Sequence, residues 1–216
     1  MNSEIKIGFR RRHLPHWTVA ERTYFVTMRL KGSLPAAVVS QLDEERDALL
    51  ATGPNPDILN DFIRARLLRI EAILDAAQSG PTFLNVAQIA DVMVKAFDWL
   101  GEKKGWLVHA FTVMPNHIHV LLRNVAGKNH LLNEHLGVLK GYTAHEANRL
   151  LRRTGAFWMD ENFDHWCRTD ERVQSAAEYI RQNPVKAGLV LHPEEWPWTR
   201  VGRPFLADRN RSGRSA

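Results

Sequence analysis

Cysteine occurs once in the 216 residues, at Cys167. The chain can therefore form no internal disulfide and no four-cysteine zinc site, and a reducing, cytoplasmic setting is the expectation. No window reaches the roughly 18 uninterrupted apolar residues of a membrane span. The N-terminal MNSEIKIGFRRRHLPHW lacks the apolar run of a secretory signal. Internal repeats and long low-complexity tracts are also missing. What is present is an ordinary globular composition, 44% hydrophobic and 25% charged, with enough chain for a substantial core. The length suits one domain, with room for an insertion.

Acidic residues are the minority charge, 24 against 29 basic ones, for a net charge of +5 and a pI near 9.6. The excess is uneven. Arg10, Arg11 and Arg12 stand together near the start, and Arg200, Arg203, Arg209, Arg211 and Arg214 crowd the end against Asp208 alone. These are either two solvated tails or two basic arms for phosphates.

Periodicity divides the chain into elements. YFVTMRL (24–30) reads as a strand. Residues 36–50 and 57–78 read as helices separated by the turn-rich TGPNPD. Residues 86–101 read as a buried helix ended by Gly101. WLVHAFTVM (106–114) and HIHVLLR (117–123) form a hairpin across Pro115-Asn116. A long amphipathic helix follows over 130–152, then a mixed stretch at 157–168, then a helix over 171–183 stopped by Pro184. This order predicts an α+β fold, a ferredoxin-like antiparallel sheet with helices on one face. Residues 31–83 form an enlarged helical crossover within a single domain spanning 10–200. Residues 201–216 form a basic C-terminal tail.

The stretch MPNHIHVLL (114–122) carries the chemistry. Alternate residues of a strand share a face. Ile118, Val120 and Leu122 therefore point to the core, while His117, His119, Leu121 and Arg123 point to the other side. Two imidazoles with α-carbons about 7 Å apart can converge on one divalent ion, although H-x-H alone also suits two solvated surface residues. The helix over 171–183 adds Tyr179 and Asn183, which are i and i+4 and share one face. Asn183 can offer a carbonyl oxygen to a hard cation, and Tyr179 can offer a phenolic nucleophile.

The run MPNHIHVLL together with YIRQNPVKAGLV (179–190) resembles the REP-associated tyrosine transposases, IS200-like members of the HUH class of single-strand transposases. RRHLPHW, YFVTMRLKGSLP, LKGYTAHEANRLL and FDHW extend the resemblance over most of residues 10–200. It implies that His117 and His119 are metal ligands, that Asn183 completes the metal site, and that Tyr179 is the nucleophile. The metal is expected to be Mg²⁺ or Mn²⁺. The reaction implied is cleavage and rejoining of single-stranded DNA through a 5′-phosphotyrosine, on REP-type hairpins, by a monomer or a homodimer.

Such a substrate needs cations for phosphates and flat rings for unpaired bases. Arg10, Arg11, Arg12, Arg123, Arg168, Arg200 and Arg203 are candidates for the first. Trp158, Trp166, Trp196 and Trp198 are candidates for the second, with core packing the commoner fate of a tryptophan. Tyr142 is the competing nucleophile, and His109 and His165 are further possible ligands, His109 more naturally on the core side. Two rival functions remain open: a non-catalytic ferredoxin-like nucleic-acid binder, and a hydrolase using a metal-bound water.

Overall fold

The computed structural model describes residues 22–77, 79–124, 132–160 and 162–202, and the backbone of two strands near the N-terminus. Those two, β1 (Lys6–Arg11) and β2 (Pro15–Val19), pair as an antiparallel ribbon. Then come β3 (Thr23–Arg29), α1 (Ala36–Ala51), α2 (Pro56–Ala76), α3 (Ala87–Lys104), β4 (Trp106–Val113), β5 (His117–Asn124), α4 (Leu132–Leu150), β6 (Phe163–Cys167), α5 (Asp170–Lys186) and β7 (Thr199–Val201).

The main sheet has five strands in the order β6-β3-β5-β4-β7, every neighbouring pair antiparallel. Its first four strands, with α3 and α4 as crossovers, form the β-α-β-β-α-β unit of a ferredoxin-like fold. The α+β reading is what the structure has. Strand β7 extends the β4 edge.

Alternation divides the sheet into two faces. Tyr24, Val26 and Met28 of β3 stand opposite Leu122, Val120 and Ile118 of β5. All six are fully buried with Phe97 and Met93 of α3 and Leu136 and Leu139 of α4. The expectation of helices on one face describes α3 and α4. Helix α5 differs: its Val173 and Ile180 cluster with Phe25, Ala110 and Leu121, on the opposite face. Thus the histidine side of β5, expected to face away from the core, is itself covered.

Two helix ends fall later than the sequence suggests. Helix α3 passes through Gly101 and stops at Gly105, whose φ of 70° gives the left-handed cap. A glycine ends a helix only when it takes that conformation. Helix α5 passes through Pro184 and ends at Lys186. In the last turn, a missing N–H and a ring clash affect only one carbonyl of the preceding turn.

The crossover over 31–83 is an α1–α2 hairpin with its own small core. Leu34, Leu42, Ile70 and Leu74 are buried together, with Phe163 of β6 packed against them. Arg66 pairs with Asp43 at 3.1 Å and Arg69 with Glu45 at 3.0 Å along the seam. The return to the sheet is tight at Gly80 (φ 82°), where a Cβ would lie 2.4 Å from the Gly32 carbonyl oxygen. Only glycine fits there. Together, the apolar seam and this loop fix the direction in which α2 presents its remaining face.

Candidate active site

His117 and His119 leave β5 on the face under α5, and both are fully buried. Their Nε2 atoms lie 3.0 Å apart. Each ring is held through its other nitrogen. Asn116 Oδ1 accepts from His117 Nδ1 at 2.7 Å, which makes Nδ1 the protonated nitrogen and leaves the Nε2 lone pair facing inward. The Thr27 hydroxyl contacts His119 Nδ1 at 2.9 Å from the neighbouring strand. With that hydroxyl accepting, the second Nε2 lone pair faces the first. Burial, and then the nearby His117, hold the His119 pKa well below the ordinary range. The ring is therefore neutral, the form that binds metals.

Helix α5 brings the other two predicted residues to the same place. Its start is set by Thr169, whose side chain accepts from the Arg172 amide, with Asp170 and Glu171 in the first turn. Tyr179 lies edge-on to His119, with ring centroids 5.3 Å apart, and 5.9 Å from Phe25. Asn183 is fully buried. Its Nδ2 donates to a carboxylate, but its Oδ1 is buried without a hydrogen-bond partner. An orphaned carbonyl of that kind costs about 1–3 kcal/mol unless something accepts its lone pair.

The carboxylate is Asp75 of α2, and sequence reasoning missed it. Asp75 Oδ1 accepts from Asn183 Nδ2 at 3.1 Å and lies 3.4 Å from His117 Nε2. Its Oδ2 accepts from the Tyr179 hydroxyl at 3.5 Å. One turn earlier, Glu71 is close enough for its charge to act on the Tyr179 phenol. Asp75, His117 and His119 each offer a donor atom within 4.8 Å of the others. Lys186 lies over the Tyr179 ring, 4.6 Å from its centroid. Arg29, buried and opposite His117 on β3, adds a permanent positive charge at this end of the sheet. The sequence signal for Glu71 and Asp75 is only an i, i+4 acidic pair, which any solvated helix face also shows.

The electrostatics are tense. Burial, then the charges of Glu71 and Asp75, raise the Tyr179 phenol above its usual range, so it holds its proton. Burial and Asp75 push the Glu71 carboxyl up to about 7 from 4.5. The folded chain therefore binds this proton more tightly than the unfolded chain, and stability falls as pH rises from about 4.5 to 7. Glu71→Gln, which cannot ionise, is expected to be more stable than the parent at pH 8 in EDTA, by on the order of 2 kcal/mol. The gap should close toward pH 4.5. Urea denaturation at pH 5 and pH 8 measures it, and a difference independent of pH would refute this account.

The donor set fits a divalent cation. Adjacent ligands of one ion with bonds of about 2.1 Å at right angles stand about 3.0 Å apart, the separation of the two Nε2 atoms. With the Thr27 hydroxyl accepting, two facing lone pairs and an orphaned amide oxygen are costly to bury together unless a cation sits between them.

The remaining candidates are scattered. Tyr142 is 54% exposed on α4, across the sheet from the histidines. Arg123 shares the histidine face of β5 and is half-buried, and Arg168 is exposed, 5.9 Å over the Trp166 ring. Arg200 is not brought to the histidines. It pairs with Asp98 of α3 and lies over Phe111, on the other face. Arg10 and Arg11 lie in β1, in register with His16 and Pro15. Arg12, Arg203, Arg209, Arg211 and Arg214 lie outside the described residues. Trp158 and Trp196 are buried and donate to Thr143 and to the Val113 carbonyl, respectively. Trp198 donates to Asp91. His165 stands one ring away from the site, its centroid 5.3 Å from Phe25, which is 5.2 Å from His119. His109 is half-buried at an irregularity of β4, its pKa lowered to about 4 by burial and Arg123.

Fold and site together define an α+β protein whose ferredoxin-like sheet carries paired buried imidazoles beside a tyrosine. Two of the proteins that this chain resembles, one in sequence and one in fold, are REP-associated tyrosine transposases by name. Over 107 residues, 46% of this chain, it is 27% identical to a Haemophilus influenzae protein assigned by name to that group. The match spans 61% of the relative's length. The fold is shared with a solved REP-associated tyrosine transposase bound to a REP hairpin, at a TM-score of 0.51 and 15% identity, covering 89% of this chain and 81% of that one. A Deinococcus radiodurans protein assigned by name to the transposases aligns at a TM-score of 0.40 and 15% identity, over 81% of this chain and 96% of its own. No protein-family model matches the chain. Among the described residues, no helix is long and apolar enough to cross a membrane.

Proposed function

We propose that this protein is a metal-dependent DNA strand transferase, in which Tyr179 cleaves single-stranded DNA beside a REP-type hairpin and keeps the 5′ end as a phosphotyrosine. The observation that carries this reading is the convergence of Tyr179, His117, His119 and Asn183, drawn from two distant segments, around Asp75. Similarity to REP-associated tyrosine transposases supplies the substrate class.

His117, His119 and Asn183 would hold a divalent ion, Mg²⁺ or Mn²⁺. When bound, it supplies a Lewis acid for a non-bridging phosphate oxygen and positive charge that favours phenolate. The chain's own residues do the rest. Phe25 and His119 fix the Tyr179 ring from two sides. The phenol oxygen forms a bond to phosphorus as the bond from phosphorus to the 3′-oxygen breaks. The phenolic proton passes to Glu71, the carboxylate of α2 whose charge acts on that phenol, and the departing 3′-oxygen takes up a proton from water. A 3′-hydroxyl reverses the step, so strands are joined without an external energy source. Arg29, Arg123 and Arg168, with Arg10–Arg12 and the arginines from Arg203 onward, are the cations for the backbone phosphates.

The test is incubation with a labelled REP-type hairpin bearing a single-stranded 5′ extension and Mn²⁺, followed by a denaturing gel. A denaturation-resistant protein–DNA adduct is the expected result, and it should persist in Tyr142→Phe. Retention on a native gel without adduct or cleavage would mean a non-catalytic binder. Cleavage without adduct would mean hydrolysis by a metal-bound water.

A further inference from the structure

The donors expected from sequence, His117, His119 and Asn183, are all neutral. Neutral donors alone leave the charge of a hard ion such as Mg²⁺ or Mn²⁺ uncompensated, and such ions favour carboxylate oxygens. The structure places one anionic oxygen donor among them, and it comes from the crossover hairpin rather than from the sheet or α5. Asp75 Oδ1 lies 3.4 Å from His117 Nε2 and accepts from the same amide, Asn183, whose Oδ1 is buried and unpartnered. Asp75 is not placed there by chance fraying. The next residue back, Leu74, is fully buried in the α1–α2 core, and the helix ends one residue on, at Ala76, capped by Ala77 in the left-handed conformation.

We infer that Asp75 is a further ligand of the metal centre, so that the α1–α2 hairpin is part of the catalytic apparatus and the protein holds its ion before DNA arrives. This rests on the metal-dependent reading above. The chemistry is consistent in three respects. A carboxylate gives the site one negative charge against the ion's two positive ones. Its oxygen sits within 4.8 Å of both imidazole donor atoms. Binding the ion also engages the Asp75 carboxylate that otherwise receives the Tyr179 hydroxyl, leaving Glu71 as the remaining carboxylate whose charge acts on the phenol. A mixed set of two nitrogens and two oxygens favours Mn²⁺ over Mg²⁺, since imidazole suits the softer of the two.

The full-length protein, free of DNA, is titrated with Mn²⁺ by calorimetry, and with Co²⁺ by visible absorption. Asp75→Asn keeps the size of the side chain and one acceptor oxygen, while removing the charge and turning the other acceptor into a donor. It is expected to weaken Mn²⁺ binding at least about tenfold and to change the Co²⁺ spectrum, because the ligand set itself changes. Asp43→Asn, which removes a carboxylate from the same hairpin at its seam, should leave both unaltered. Asp75→Asn binding Mn²⁺ like the parent with an unchanged Co²⁺ spectrum would overturn the inference. Loss of Mn²⁺ affinity with an unchanged spectrum would overturn it too, making Asp75 a remote charge. Failure of the parent itself to bind Mn²⁺ or Co²⁺ would instead strike at the metal-dependent reading. Thermal melting in EDTA, where Asp75→Asn should unfold cooperatively, separates these results from a folding defect.

Discussion

Tyr179→Phe is expected to remove the covalent DNA adduct completely and to lower strand cleavage by on the order of 10⁴-fold or more, the scale of losing a covalent nucleophile. Hairpin affinity and Mn²⁺ affinity should change less than about threefold, within the small range of a substitution that removes no phosphate or metal contact. The substitution is clean because the ring is held by contacts that phenylalanine keeps. His119 and Phe25 pack against its edges, and Lys186 lies over its face. What leaves is the hydroxyl that donates to Asp75. Tyr142→Phe should be indistinguishable from the parent, since Tyr142 is exposed on α4 across the sheet. An adduct surviving Tyr179→Phe, mapped to any other residue, would sink the assignment of the nucleophile.

Much of this arrangement is legible in the sequence, and the reasons are specific. The period of two along HIHVLL separates Ile118, Val120 and Leu122 from His117, His119 and Leu121 without reference to any other strand. The spacing of Tyr179 and Asn183 puts both on one helical face, and both do contact Asp75. The hairpin at Pro115-Asn116 closes as expected, with the Met114 amide donating to the His117 carbonyl at 2.9 Å.

Asp75 and Glu71 are illegible for an equally specific reason. Helix α2 buries Ile70 and Leu74 against α1, and its amphipathic pattern is satisfied by that contact alone. Whether the acidic face beyond it meets water or His117 depends on how the hairpin docks on β6, through Phe163, and on the loop at Gly80. Periodicity carries no information about either. The cover over the histidines is hidden for a similar reason. Only Val173 and Ile180 of α5 are buried apolar residues in the cluster on that face, too few for a pattern that announces a second core.

The second large effect concerns the imidazoles. His119→Ala is expected to lower Mn²⁺ affinity by more than about a hundredfold and to abolish adduct formation, because a ligand is lost outright. Thr27→Val is the more telling change. Valine matches threonine in shape at a site that is 1% exposed, so packing is preserved while the hydroxyl 2.9 Å from His119 Nδ1 disappears. Freed of that partner, the ring can place its proton on Nε2 and donate to His117 Nε2, 3.0 Å away, which closes the space that a cation needs. Removal of such a supporting hydrogen bond typically costs 10–100-fold in metal affinity, and Mn²⁺ calorimetry on the folded variant should find a loss of about that size. Thr112 is the control. It too is a fully buried threonine, standing opposite His119 on the other neighbouring strand, but its hydroxyl bonds Thr199 at 2.6 Å instead. Thr112→Val should leave Mn²⁺ affinity within about threefold of the parent, as expected for a hydroxyl that holds no metal ligand. If the two valine variants bind Mn²⁺ alike, the tautomer argument fails, and with it the claim that β3 orients the ligands carried by β5.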